Sequence, residues 1–199
     1  MIAIVDYGAG NLTSVKKAFD RLAVDTVVTS DPDVLSRAEK IVVPGVGHFA
    51  ATNKLTESGL RSAALDAMTR GVPFLGICVG MQWLFKSSQE SPETPGLNLF
   101  QGMCERFPPE VKSPHVGWNQ LHLRGTSILM QGIPQDSFVY FTHSYRAPIV
   151  QETTAATEYG GLFSAAVERE NVFGVQFHPE KSSDVGLRIL SNFCEIRPC

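Results

Sequence analysis

Three reactive side chains in this sequence stand where local spacing would let them work. Cys78 lies in Gly76-Ile77-Cys78-Val79-Gly80, at the break between an apolar run of strand length ending near Leu75 and a second apolar run, Met81 to Phe85, of helical character. Glycines two before and two after let the backbone turn sharply, which would lift the cysteine above a sheet edge at the start of a helix. The free N–H groups there favour a thiolate. A small buried cysteine on an ordinary strand-to-helix turn fits the pentapeptide equally well. A hundred residues on, His178-Pro179-Glu180 ends the apolar run Val172 to Phe177, and positions i and i+2 of an extended segment share a face. The carboxylate would then orient the imidazole. A solvated pair at a strand end is the alternative. Zinc lacks a third ligand, because His48, His115, His122 and His143 are scattered. Pro44-Gly45-Val46-Gly47 follows another apolar run, and its backbone N–H groups could face one side as an anion cradle. A nucleophile, a base with its orienting acid and a donor loop together point to acyl transfer. The chain order Cys, His, Glu differs from that of the α/β-hydrolases, where the acid precedes the histidine.

The elements that must position these groups alternate. Strands are expected at 2–5, 26–29 and 40–43 and just before Cys78, with helices at 12–22 (Asn11 as N-cap), 32–37 and 60–68. That rhythm implies a parallel sheet covered on both faces, with ligands at the carboxyl ends of its strands. Gly8 and Gly10 begin a dinucleotide fingerprint, but Thr13 stands where its third glycine belongs, which argues against nucleotide binding. Residues 87–96, polar and broken by prolines, read as a surface loop. Short β-rich pieces follow at 103–107, 119–123, 138–141, 154–158, 163–168 and 172–176, then a closing helix through Leu187, Leu190 and Phe193. The expected fold is α/β: a mostly parallel sheet flanked by helices, with antiparallel strands from the C-terminal half, in one domain over 1–199.

The composition excludes other classes. A chain of 199 residues with net charge −3 and scattered basic residues offers no face to nucleic acid. No segment reads as a membrane span or an export signal. Cys78, Cys104, Cys194 and Cys199 form no Cys-x-x-Cys pair, which suggests free thiols and a cytoplasmic setting. Neither a cofactor nor a metal is expected.

Gly76 to Gln82, Pro44 to Gly47 and His178-Pro179-Glu180 resemble the signature of the class I, triad-type glutamine amidotransferases. More narrowly, Asp6-Tyr7-Gly8-Ala9-Gly10-Asn11-Leu12, Pro114-His115-Val116-Gly117-Trp118-Asn119, His143-Ser144-Tyr145-Arg146 and Phe177 to Ser182 are similar to glutaminase subunits of imidazole glycerol phosphate synthases. The resemblance spans nearly the whole chain. It implies the flavodoxin-like fold of that family, Cys78, His178 and Glu180 as catalytic groups, and oxyanion donors from Val79 and from Gly45, Val46 or Gly47. It further implies glutamine held by Gln82 and by the backbone at His143, Ser144 and Tyr145. The partner it implies is a (β/α)8-barrel cyclase subunit, met through Asn11, Trp118, Tyr140 and Lys181. That partner would use the ammonia to make imidazole glycerol phosphate and aminoimidazole carboxamide ribonucleotide in histidine biosynthesis. Val79 and Trp83 replace the more usual leucine and Val116 the more usual methionine. Rival readings are another triad glutaminase such as the vitamin B6 pathway subunit, a stand-alone γ-glutamyl hydrolase or cysteine peptidase, and a catalytically silent binding subunit.

Overall fold

The computed structural model describes residues 1–197, so Cys199 lies outside the described residues. Along the chain come β1 (Ile2–Val5), α1 (Leu12–Arg21), β2 (Thr26–Thr29), α2 (Pro32–Ser36), β3 (Lys40–Gly45), α3 (Asn53–Glu57), α4 (Leu60–Thr69), β4 (Phe74–Cys78) and α5 (Val79–Gln82). The second half supplies β5 (Ser87–Ser88), β6 (Met103–Arg106), β7 (His115–Gln120), β8 (His122–Leu123), β9 (Phe138–His143) and β10 (Tyr145–Arg146). The chain closes with β11 (Thr153–Glu158), β12 (Leu162–Arg169), β13 (Val172–Val175) and α6 (Ser183–Glu195).

Eight strands form the central sheet in the order β2-β1-β3-β4-β13-β12-β11-β8. The five from β2 to β13 run parallel, and β12, β11 and β8 continue the sheet antiparallel. Alternate side chains of the parallel strands enter two different cores. Ile2, Ile4, Val42, Leu75 and Ile77 pack toward α1 and α6, while Ala3, Val5, Ile41, Val43 and Phe74 pack toward α2 and α4. Strands buried on both faces read as continuous apolar runs, which is why the sequence marks them so clearly. A two-stranded ribbon, β7 with β9, stands apart from this sheet, and so does the small sheet β10-β6-β5.

Several expectations differ from what is observed. His178-Pro179-Glu180 is not extended but enters a 3-10 helix over Pro179–Lys181, so the His178–Glu180 contact is made across a turn. The strand expected at 119–123 is divided between β7, which ends at Gln120 in the ribbon, and β8 of the central sheet. The helix after Cys78 is only Val79–Gln82, because the carbonyls of Trp83, Leu84 and Phe85 accept N–H groups from Leu97, Leu99 and Asn98 instead of continuing a helical ladder. Residues 87–96 do run along the surface, with Gln89, Pro92, Glu93 and Pro95 exposed, but their polarity conceals an inward side: Ser88, Ser91 and Thr94 are buried, with the Ser91 and Thr94 hydroxyls 2.8 Å apart. Gly96 is pressed so close to the Phe85 carbonyl that a Cβ would lie 2.0 Å from that oxygen.

Candidate active site

Cys78 ends β4, and β13, which leads to His178, is its parallel neighbour in register Gly174↔Gly76 and Val175↔Ile77. Adjacent parallel strands therefore bring a cysteine and a histidine a hundred residues apart to one end of the sheet. The elbow needs both of its glycines. A Cβ on Gly80 would stand 1.9 Å from the Val43 carbonyl and one on Gly76 2.4 Å from the Gly80 carbonyl, so only glycine permits this approach of turn to strand. Cys78 takes φ 55 and ψ −108, a conformation a non-glycine residue adopts only where the surroundings hold it.

The thiol is not lifted into solvent. Cys78 is only 2% exposed and floors a cavity of about 320 Å³, at the small end of small-molecule pockets. Val46, Gly47, Val79, Gln82, Glu90, Thr142, His143, Ser144 and Tyr145 are among its lining residues. Behind the sulfur, Nδ1 of His178 lies 2.8 Å from Oε1 of Glu180, with both side chains almost wholly buried. Nε2 of His178 makes no hydrogen bond among the described residues. Burial works against charging this imidazole, but the Cys78 sulfur and the Glu180 carboxylate outweigh it and push its pKa up to about 10.

The three residues of the donor loop separate. Val46 and Gly47 line the cavity, while Gly45 is sealed beneath it, where a Cβ would lie 2.7 Å from the Tyr7 hydroxyl oxygen and from Val79 Cβ. Burial raises the pKa of Tyr7, and the nearby Cys78 adds to the rise. Gln82 lies inward, its Nε2 donating to the Tyr145 carbonyl at 2.9 Å and to Gln176 Oε1 at 3.1 Å. The same Tyr145 carbonyl accepts from Nδ1 of His143 at 2.8 Å. His143 Nε2 lies 3.2 Å from His115 Nδ1, and Asn119 reaches His115 Nε2 at 3.3 Å. Burial pulls His143 down to about 3 and His115 to about 4, so both rings are neutral near pH 7. Because the Tyr145 carbonyl can only accept, each ring must carry its proton on Nδ1, and the chain runs from the Asn119 amide to that carbonyl in one sense.

The ribbon strand β9 is stitched to the catalytic groups. Its Tyr140 carbonyl accepts the His178 N–H at 2.9 Å, and its Tyr140 N–H donates to Ser182 Oγ, which in turn donates to the His178 carbonyl at 2.7 Å. The Thr142 carbonyl lies 3.9 Å from Cys78 Sγ. On the outer face of the ribbon, Val116 and Trp118 are 57% and 50% exposed, Trp118 packs edge-on to Tyr140, and the Lys181 ammonium sits over the Tyr140 ring. Asn11 caps α1, accepting from the Ser14 N–H. Trp83 is fully buried against Phe74 behind the elbow.

With this geometry in place, the sequence profile described as Glutamine amidotransferase class-I matches residues 3–196. The chain belongs to that family. It is 48% identical over 197 residues to the imidazole glycerol phosphate synthase subunit HisH of Methanothermobacter thermautotrophicus, covering 98% of each chain. It is also 48% identical to the HisH subunit of Moorella thermoacetica, over 98% of this chain and 94% of that one. Among solved structures, one described as a crystal structure of glutamine amidotransferase superposes with TM-score 0.76 at 20% identity, covering 98% and 100% of the two chains. The structure of PurLQS from Thermotoga maritima gives 0.74 at 17% identity, over 97% and 96%. At such identities the structures establish the shared fold.

Two residues of this amidotransferase site have no counterpart in the motif reading. Glu90, whose Oε2 accepts the Phe49 N–H at 2.7 Å, is the acidic residue of the cavity wall, and it sits in the segment whose polarity suggests a surface loop. Gln176 lies two residues before His178, so strand alternation places it on the histidine's face; that signal is present in the sequence.

Proposed function

We propose that this chain, as one domain, is the glutaminase subunit of an imidazole glycerol phosphate synthase. Cys78 attacks the side-chain amide carbon of L-glutamine, and His178 hands its proton to the leaving nitrogen, releasing ammonia and leaving a γ-glutamyl thioester. His178 then takes a proton from water, whose oxygen attacks the thioester; glutamate leaves and the thiol is restored. Glu180 holds the imidazole in the tautomer this needs. The tetrahedral oxyanion is met by the Val79 N–H and a backbone N–H of Gly45, Val46 or Gly47, each donor worth about 3 kcal/mol. The observation that carries this reading is the meeting of Cys78, at the cavity floor, with a buried His178–Glu180 pair 2.8 Å apart just beyond the end of the neighbouring strand.

Gln82 and the main chain at His143, Ser144 and Tyr145 hold the substrate, and Glu90 takes its α-ammonium. Ammonia passes to a (β/α)8-barrel cyclase subunit, bound as a heterodimer in the cytoplasm, for histidine biosynthesis. Asn11, Trp118, Tyr140 and Lys181 face that subunit. The exposed apolar ribbon face supports this, since large aromatics flanked by a cation make effective interface anchors. Isolated turnover is expected to be weak and to rise sharply when the cyclase holds its nucleotide, because ammonia made without an acceptor is wasted.

Glutamate release from glutamine tests the reading, with and without the cyclase and its nucleotide. Cys78→Ala should lose activity by about 10⁴-fold or more. Undiminished hydrolysis by Cys78→Ala would remove the nucleophile, and fast turnover of the isolated chain would favour a stand-alone hydrolase.

A further inference from the structure

Gln176 is fully buried just past the end of β13 and has no part in the mechanism above. Its orientation follows from its neighbours. The Tyr145 carbonyl can only accept, so the end of Gln82 facing it at 2.9 Å is the amide nitrogen. That nitrogen also lies 3.1 Å from the Gln176 side chain, whose facing atom must then be oxygen. Gln176 Nε2 is left turned toward Cys78 Sγ, 3.6 Å away, within reach of a large sulfur acceptor. The sulfur also interacts with His178, and at a third contact, the Thr142 carbonyl at 3.9 Å, a thiolate would meet a negative dipole. A buried amide is costly unless its hydrogen bonds are made, and an apolar side chain would fill the same volume without that cost.

We propose that Gln176 holds the Cys78 thiolate: its amide N–H donates to Sγ, favouring the charged sulfur and fixing its aim, and Gln82 locks the amide in that sense. Both amide hydrogens of Gln82 are committed, so Gln82 offers the substrate its Oε1 alone and selects a donor there. Ligand contact at Gln82 is thereby tied, through one intervening amide, to the charge state of the nucleophile. This inference rests on Cys78 being the nucleophile.

Alkylation of Cys78 by iodoacetamide in the full chain, followed across pH by peptide mass spectrometry, tests it. Removing a hydrogen bond to a charged group should raise the midpoint of the acid limb by about 1 to 2 pH units in Gln176→Met. Gln176→Glu, which keeps the shape and sets a carboxylate against the sulfur, should raise it at least as far. A lowered melting temperature with an unmoved midpoint in either folded variant overturns the proposal and leaves Gln176 a packing residue. The unaltered chain gives a reading that needs no variant. The side-chain amide nitrogen of Gln176, followed by NMR, should titrate with the alkylation midpoint and lose that step in Cys78→Ala; a flat resonance overturns the proposal. Glutamine hydrolysis by Cys78→Ala separates the two levels: persistence of activity removes the nucleophile itself, whereas a dead Cys78→Ala beside unmoved midpoints removes only the role of Gln176.

Discussion

His178 and Glu180 share their 2.8 Å contact where water barely reaches, and the direction of each histidine's shift sets the response to pH. In the fold His178 is raised from 6.5 to about 10. Its contribution to stability is therefore complete below its unfolded value and is lost as pH rises through about 10. His115 and His143, lowered from 6.5 to about 4 and about 3, act oppositely: their contribution is complete above 6.5 and lost as pH falls toward those values. Urea unfolding across pH should show decline on both sides of a plateau, with a shallower acid side in His115→Gln; an unaltered acid side would count against the neutral histidine chain. Glu180→Gln should lower kcat by about 10²- to 10⁴-fold while changing KM little, since it leaves the cavity wall intact and deprives the imidazole of its partner. Glu90→Gln should do the reverse in steady-state kinetics, raising KM by about 10- to 100-fold, the worth of one hydrogen bond to a charged group. Unchanged KM would mean that the α-ammonium is held elsewhere.

Among the elements, the elbow is tightly specified at both of its glycines. Gly80→Ala forces a methyl group against the Val43 carbonyl, 1.9 Å from where its Cβ would stand. Overpacking of that kind costs about 3 kcal/mol or more, roughly 6–12 °C in melting temperature for a chain of this size. Calorimetry reads the shift directly, and an unchanged melting temperature would mean that the elbow yields more readily than its geometry indicates. The same elements explain what the sequence could and could not disclose. β1, β3, β4 and β13 are buried on both faces and announce themselves as apolar runs, and the glycines around Cys78 mark the turn. Trp83, Leu84 and Phe85 are equally apolar, yet they are not helical. Hydropathy records their burial without revealing that their carbonyls are taken by residues 97–99. Residues 87–96 form the surface loop their polarity indicates, but its inward side was not legible: the Ser91 and Thr94 hydroxyls pair and Ser88 Oγ accepts the Glu90 N–H, pairings that single-residue polarity does not encode. Glu90 was hidden with them.

For the whole molecule, the exposed face of the β7–β9 ribbon carries Val116, Trp118 and Tyr140 on the same side as Thr142, which lines the cavity. Trp118→Ala should weaken binding of the cyclase subunit by about 30-fold or more, the effect of losing an anchor worth at least 2 kcal/mol. At 50% exposure in the isolated chain, Trp118 is not a core residue, so the melting temperature should scarcely move. Titration calorimetry with the purified cyclase checks both the affinity and the stoichiometry. Equal affinity of the variant would place the docking surface elsewhere on the chain.

The bonds of β9 give that surface a mechanical meaning. One short strand carries the Tyr140 ring outward, grips the histidine's main chain with its Tyr140 peptide groups, and sets its Thr142 carbonyl beside the sulfur. It thus acts as a gauge bar between the two reacting atoms, with its handle outside the molecule. A push on the Tyr140 ring would therefore be felt, through the bonds of a single strand, at the main chain of the histidine and beside the sulfur.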